Sequence, residues 1–278
     1  MPKVEMPRNR GKKGPDSKQR HREKTVFSLK AMARPSPSPW SQLTALKTEN
    51  LAVTDFLHVL RGCPRLRKCT VYTYAGEHEP PAFPVLVHSA LEELHLSHVM
   101  GQFVHCLELP SLRTLSLGGA ISNATHFLPF LARSAASLRE FVFRRYGVAQ
   151  VEGPPLQWFH IRENIVSVKL DDLPDETSRP FLLALDRTVD MGFLPRLRSL
   201  HINCDTHRVD AAVVHALQSR YTECDGAKLE VLRLVRIFYD RIHWDRMGEI
   251  DWDSLWDLGR SGMDIHVGSP EKNFLWDW

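Results

Sequence analysis

The sequence predicts an α/β protein whose parallel sheet is built from a repeating unit, with helices outside it. Three observations predict this. An L-x-x-L-x-L pattern of apolar residues recurs eight times between Leu43 and Leu234. Helix-like stretches fall between successive occurrences. The intervals leave room for the crossover that a parallel neighbour requires.

In order, the apolar sets are Leu43/Leu46/Thr48, Leu66/Cys69/Val71, Leu91/Leu94/Leu96, Leu112/Leu115/Leu117, Leu138/Phe141/Phe143, Ile165/Val168/Leu170, Leu197/Leu200/Ile202 and Leu229/Leu232/Leu234. One such set is weak evidence in a chain that is 43% apolar, so the spacing decides. Successive first positions lie 23, 25, 21, 26, 27, 32 and 32 residues apart, against the roughly 20 to 29 of a leucine-rich repeat. The predicted fold is a leucine-rich-repeat solenoid over residues 40–237, a horseshoe with a parallel sheet on its concave face and helices outside. The last two intervals must carry insertions.

The helices follow from capping and apolar spacing. Thr54 is expected to cap 55–61, with Phe56, Leu57 and Leu60 on one face. Further helices are expected over 123–133, over 175–186 with Phe181, Leu182 and Leu185, and over 209–221 with Val213, Val214 and Leu217. One repeat cannot bury its own apolar face, so stability must come from stacking on neighbours, with atypical ends as caps. Residues 238–278 read as the C-terminal cap: Trp244, Trp252, Trp256, Trp276 and Trp278 gather around a short strand at 264–267.

Residues 1–39 differ in kind. Eleven Lys or Arg stand against Glu5, Asp16 and Glu23 in 1–35, a local charge of +8, so the overall +3 leaves −5 on the remainder. With the run Pro35-Ser36-Pro37-Ser38-Pro39 behind it, this segment reads as a disordered basic tail and stiff linker. Its charge offers electrostatic affinity for nucleic acid, and a solvated tail without a partner is the plainer reading.

Composition narrows the function classes. No apolar run reaches the roughly 18 to 20 residues of a membrane span, and no secretory leader pattern opens the chain. The expectation is an intracellular protein of the cytoplasm or nucleus, with no membrane partner. Five cysteines without a C-x-x-C pair fit neither a disulfide framework nor a zinc ribbon, so reduced thiols are expected. Asn123-Ala124-Thr125 matches a glycosylation acceptor and reads instead as polar residues at a helix start.

Catalytic motifs are missing: no G-x-G-x-x-G, phosphate loop, G-x-S-x-G elbow or H-E-x-x-H. The reading is a protein that is not an enzyme, with no cofactor and no metal. His95, His98, His105 and Cys106 come nearest to a zinc set, but the spacing matches no zinc pattern, and alternation turns His95 away from Leu94 and Leu96. Asp171, Asp172, Asp175 and Glu176 carry carboxylates without a nucleophile or base beside them in sequence, and read as favouring the N-terminus of the next helix.

The outward strand positions are the better functional prediction. If the apolar triads face the core, alternation sends Lys47, Thr70, His95, Ser116, Val142, Lys169, His201 and Arg233 to the opposite face. Two positions on come Glu49, Tyr72, Ser97, Gly118, Arg144, Asp171, Asn203 and Val235. From these, Lys47, Tyr72, His95, Arg144, Lys169, Asp171, His201 and Arg233 are the expected protein-binding residues. The face leans basic toward its C-terminal half, which suits a protein partner carrying acidic groups.

Finally, Val53-Thr54-Asp55-Phe56-Leu57-His58-Val59-Leu60-Arg61-Gly62-Cys63-Pro64-Arg65-Leu66 resembles the cysteine-containing repeat of the F-box/leucine-rich-repeat proteins abundant in fungi, with its V-T-D helix start and C-P-x-L re-entry. Leu109-Pro110-Ser111-Leu112-Arg113-Thr114-Leu115 and Gly262-Met263-Asp264-Ile265-His266-Val267-Gly268 extend the resemblance over 40–278. It implies a protein-interaction module, and substrate recognition for a cullin-type ubiquitin ligase, whose adaptor would then be a partner. Where the family places an L-P-x-E-I-like F-box, residues 1–39 supply only Phe27-Ser28-Leu29-Lys30-Ala31-Met32. The alternative is a nuclear or nucleic-acid-associated scaffold that uses the basic tail.

Overall fold

The computed structural model describes residues 39–49, 51–72, 84–97, 101–119, 124–144, 156–160, 163–204, 209–222, 227–235, 250–269 and 273–275. All of them belong to the compact unit Arg34–Trp278. Outside this set lie nearly all of the predicted tail and linker, Phe27 to Met32, His98, Asn123, Cys224, Trp244, Trp276 and Trp278.

In chain order the strands are β1 (Ala45–Glu49), β2 (Lys68–Tyr72), β3 (Leu86–Val87), β4 (Glu93–Ser97), β5 (Leu107–Glu108), β6 (Thr114–Gly118), β7 (Glu140–Arg144), β8 (Ser167–Leu173), β9 (Ser199–Cys204), β10 (Val231–Val235) and β11 (Asp264–Gly268). Nine of them form one open sheet in sequence order, β1-β2-β4-β6-β7-β8-β9-β10-β11, and β3 pairs with β5 in a second, two-stranded sheet. Every pairing in the large sheet is parallel. The protein is thus α/β with a large parallel sheet.

The predicted sets fall on these strands in register. Leu46, Cys69, Leu94, Leu115, Phe141, Val168, Leu200 and Leu232 are successive partners, and Ile265 on β11 continues the row. Thr48, Val71, Leu96, Leu117, Phe143, Leu170, Ile202, Leu234 and Val267 make a second row beside it. All except the half-buried Leu46 are buried, and each buried aliphatic side chain contributes about 1.5 to 3 kcal/mol relative to exposure. A slip of one residue on any strand would turn its apolar set to the other face.

Among the described residues the α-helices are α1 (Val53–Gly62), α2 (Ala124–Ser134), α3 (Gln157–His160), α4 (Asp175–Leu183), α5 (Ala211–Thr222) and α6 (Trp252–Arg260). Helix α3 meets the apolar rows through an aromatic contact, Phe159 against Phe141 of β7 edge-on at 5.4 Å, and Phe159 in turn meets Phe181 of α4 at 5.0 Å. The described parts of the β2–β4 and β4–β6 crossovers hold β3, a 3-10 turn at Gly101–Cys106 and β5 rather than a helix.

Two expectations change at the helix ends. Thr54 is not the cap: α1 starts at Val53, two residues before the expected start, behind Ala52, which makes no side-chain cap hydrogen bond. Helix α4 stops at Leu183, three residues before the predicted end. Side-chain caps occur instead at α5 and α6. Asp210 Oδ1 accepts from the Ala212 and Val213 amides, both at 3.1 Å, and Asp251 Oδ1 accepts from the Ser254 amide at 3.1 Å. Just past the C-cap of α6, Gly262 has a φ of 104°, which favours glycine, and a Cβ added there would come 3.0 Å from Tyr221 Oη.

The first long interval holds a tightly bonded insertion between α4 and β9. Arg220 of α5 is 1% exposed. Its guanidinium donates to the carbonyls of Leu185, Phe193 and Leu194, the last at 2.9 Å. Leu194 itself has a φ of 49°, unusual for a branched side chain. Arg187, also buried, donates to Pro195 and Ala227 carbonyls at 2.9 Å. Burial pulls the Arg220 pKa down to about 10, with Arg187 adding to the shift, and it stays charged at neutral pH.

At the C-terminal edge of the sheet, Asn273 lies against β11. Its Oδ1 accepts from Val267 N at 3.1 Å, its Nδ2 donates to Ile265 O at 2.9 Å, and Phe274 N donates to Val267 O at 2.8 Å. Among the described residues no helix is long and apolar enough to cross a membrane.

Candidate interaction face

The sheet register decides which side chains share the face opposite the core. Lys47, Thr70, His95, Ser116, Val142, Lys169, His201, Arg233 and His266 are consecutive partners across all nine strands. The row beyond holds Glu49, Tyr72, Ser97, Gly118, Arg144, Asp171, Asn203, Val235 and Gly268. All eight residues expected to bind a protein therefore stand in two adjacent rows. Lys47 and Arg144 are exposed and the other six half-buried, while Val142 and Ser116 at the middle of the row are 6% and 8% exposed.

The row on the other side was not among the predicted site residues. It reads Ala45, Lys68, Glu93, Thr114, Glu140, Ser167, Ser199, Val231 and Asp264. Its one cation and three carboxylates cancel the basic lean of the other two rows. Across all three rows Lys47, Lys68, Arg144, Lys169 and Arg233 stand against Glu49, Glu93, Glu140, Asp171 and Asp264. The signal was available, since the same alternation that selects Lys47 also selects Ala45 two places earlier.

Cross-strand pairs order this face. Lys68 is paired with Glu93, whose other neighbour is His95 Nε2 at 3.7 Å. The Lys68 hydrogen bond is the main reason the Glu93 carboxyl lies below its usual range. Lys47 Nζ stands 5.1 Å from the Tyr72 ring centroid, within cation–π range. Arg144 Nε donates to Asp171 Oδ2 at 3.1 Å, and Lys169 Nζ lies 3.7 Å from the same oxygen. Asp171 Oδ1 is buried with no hydrogen-bond partner, so the carboxylate is held through its other oxygen alone. Arg233 and Asp264 close the series on β10 and β11.

The imidazoles respond to this setting. Burial, followed by the charge of Lys68, holds His95 below the usual histidine range. Burial, followed by the charge of Lys169, does the same for His201. Both are neutral at pH 7, so the face presents balanced charge and hydrogen-bonding groups.

The other sequence candidates are dispersed. Among the described residues no three His, Cys, Asp or Glu side chains are placed to hold a metal. His105 lies off the sheet face, in the turn before β5, with its Nε2 3.1 Å from Cys106 Sγ. The four carboxylates of 171–176 separate: Asp171 faces Arg144, Asp172 sits exposed with a φ of 62° within an irregularity in the β8–β9 register, and Asp175 and Glu176 open α4. Cys63, Cys69 and Cys106 are buried and outside any disulfide, and burial pushes the Cys69 pKa up to about 12, which disfavours a nucleophilic thiolate there. No protein-family model and no curated protein matches the chain.

Proposed function

We propose that this protein is an interaction module of the leucine-rich-repeat type, a solenoid that recognises another protein through the face of its nine-stranded sheet. The single observation that carries the reading is the parallel register shared by the nine strands, which lines up three mostly polar rows opposite a continuous apolar core. A surface of paired charges, one aromatic ring and half-buried imidazoles offers directional contacts, and stacked repeats commonly bind on this side. The role is binding rather than catalysis.

Substrate recognition for a cullin-type ubiquitin ligase is the specific form we propose, resting on the resemblance of 53–66, 109–115 and 262–268 to F-box/leucine-rich-repeat proteins. The test is affinity purification of the full chain from its own cells, beside a variant carrying Lys47→Glu, Arg144→Glu and Lys169→Glu. We expect the wild type to retain the cullin adaptor together with a further protein, and the variant to lose that further protein while keeping the adaptor. Loss of nothing would overturn the face as the binding surface. Absence of the adaptor from both would overturn the ligase form.

A further inference from the structure

A fourth row runs along the edge of the sheet, outside the three rows above, where the chain enters each strand. Its backbone is fixed by bifurcated hydrogen bonds. The carbonyls of Thr44, Arg67, Glu92, Arg113, Arg139, Val166 and Arg198 each accept two N–H groups from the next strand's entry, as Arg113 O does from Arg139 N and Glu140 N at 2.9 Å. Glu230 O continues the series by accepting from Asp264 N at 2.9 Å. Arg65 and Arg196 stand two residues ahead of Arg67 and Arg198.

All six of these arginines are exposed. Against them the row holds Glu92 and Glu230, an excess of four positive charges, and the flanking Glu163 and Lys228 cancel each other. The excess sits on a region, 36–278, that has 25 Lys or Arg and 30 Asp or Glu, a net −5.

The charge is also unevenly neutralised. Glu92 lies 3.9 Å from Arg67, and Glu230 lies 3.4 Å from Arg198. Between them the row has no carboxylate, and among the described residues none pairs with Arg113, Arg139 or Arg196. Two of these guanidiniums are held by one neutral residue: Arg139 Nη1 donates to Asn164 O at 3.2 Å and Arg196 Nη1 to Asn164 Oδ1 at 3.0 Å. Asn164 is fixed in turn through Nδ2 to Ala136 O at 2.9 Å. Like charges drawn together without a counter-ion oppose folding, and an anion supplied from outside would relieve that.

We propose that the edge formed by Arg113, Arg139 and Arg196 docks an extended acidic segment of another protein, one rich in Asp and Glu. The chain shows the pairing itself, since each glutamate within the row is seated against the arginine of a neighbouring strand entry. Strands step about 4.8 Å apart, and an extended peptide rises about 3.3 Å per residue, so carboxylates two or three residues apart reach successive guanidiniums. Guanidinium favours carboxylate through paired hydrogen bonds. A nucleic acid fits less well: it is broad, and would bring its phosphates over the charge-balanced face and the net-negative remainder. The edge is a different surface from the face proposed above, so either reading can fail alone.

The probe is a fluorescent octaglutamate peptide titrated with the full chain at about 50 mM salt, beside the exposed double variant Arg113→Glu/Arg139→Glu and the milder Arg113→Gln/Arg139→Gln. The basic segment 1–35 is common to all three proteins, so the differences report the edge. We expect wild-type binding to weaken on the order of tenfold or more in the Glu variant and less in the Gln variant, with an octathymidylate binding no tighter than the peptide. Equal binding by wild type and both variants, no wild-type binding, or tighter octathymidylate binding lost in the same variants would each overturn the proposal.

Discussion

Arg233 on β10 reaches diagonally to Asp264 on β11, with Nη1 2.9 Å from Oδ1 and Nη2 on Oδ2, a fork-to-fork pair at the last strand junction of the sheet. That pair is the main cause holding the Asp264 carboxyl below its usual range. Because Asp264 is 60% exposed, the coupling should be small. A double-mutant cycle with Arg233→Ala and Asp264→Ala is expected to give about 0.5 to 1 kcal/mol near pH 7. A folded-state pKa below the unfolded one means that this contribution is complete above about pH 4 and fades as pH falls through the folded value. Coupling that persisted at pH 2 would contradict the assignment.

Leu115 and His201 test the register from opposite sides of the sheet. Leu115 is fully buried, so Leu115→Ala should cost about 2 to 5 kcal/mol in urea unfolding. His201 lies on the outward row, and His201→Ala should change stability by no more than about 0.5 kcal/mol at pH 7.5. The reverse ranking would require a different register.

His95 and His201 predict the acid side of the stability profile. Their folded-state pKa values are depressed, so the unfolded chain binds protons first as pH falls. Their contribution to stability is complete above the ordinary histidine value of about 6.5, and declines as pH drops below it toward the folded values. Imidazole resonances should titrate below the free-histidine midpoint, and Tm should fall between pH 7 and pH 5.5 less steeply in His95→Gln/His201→Gln than in wild type. Midpoints at or above the free value would remove the basis for this expectation.

Arg220 should be the most sensitive polar position in the molecule. Arg220→Met leaves the carbonyls of Leu185, Phe193 and Leu194 without their donor, and a loss of about 3 kcal/mol or more is expected by denaturant titration. Amide exchange in 185–194 should quicken along with it. A neutral substitution would show that the insertion is held by something other than this guanidinium.

The strand core was legible in the sequence because alternation and spacing act together. Leu94, Leu96, Leu115 and Leu117 are recognisable alone, and Cys69 and Thr48 become recognisable once their neighbours set the period. The helix termini were less so. Asp210 carries a capping side chain just ahead of α5, whereas at α1 the chain turns at Ala52 with no side-chain bond, and a Thr in the first turn looks locally like a cap. Arg220 was beyond reach, because its partners are three backbone carbonyls 26 to 35 residues away that leave no chemical trace in sequence. The outward rows were found by period alone, while their pairing depends on neighbouring strands. Asp264 cancels Arg233 only because β11 lies beside β10.

Asn273 has a bearing on self-association. An edge strand offers its unpaired N–H and C=O groups as a template on which another chain can add a strand, the first step toward aggregation. On β11 the Asn273 amide meets Val267 N and Ile265 O as a strand's peptide group would, and Phe274 N takes the Val267 carbonyl. Two residues thereby occupy three of the outward peptide groups of this edge, which leaves fewer of them to template a further strand. Asn273→Leu would remove two of these bonds, and the expected outcome is a rise in concentration-dependent light scattering above that of the wild type.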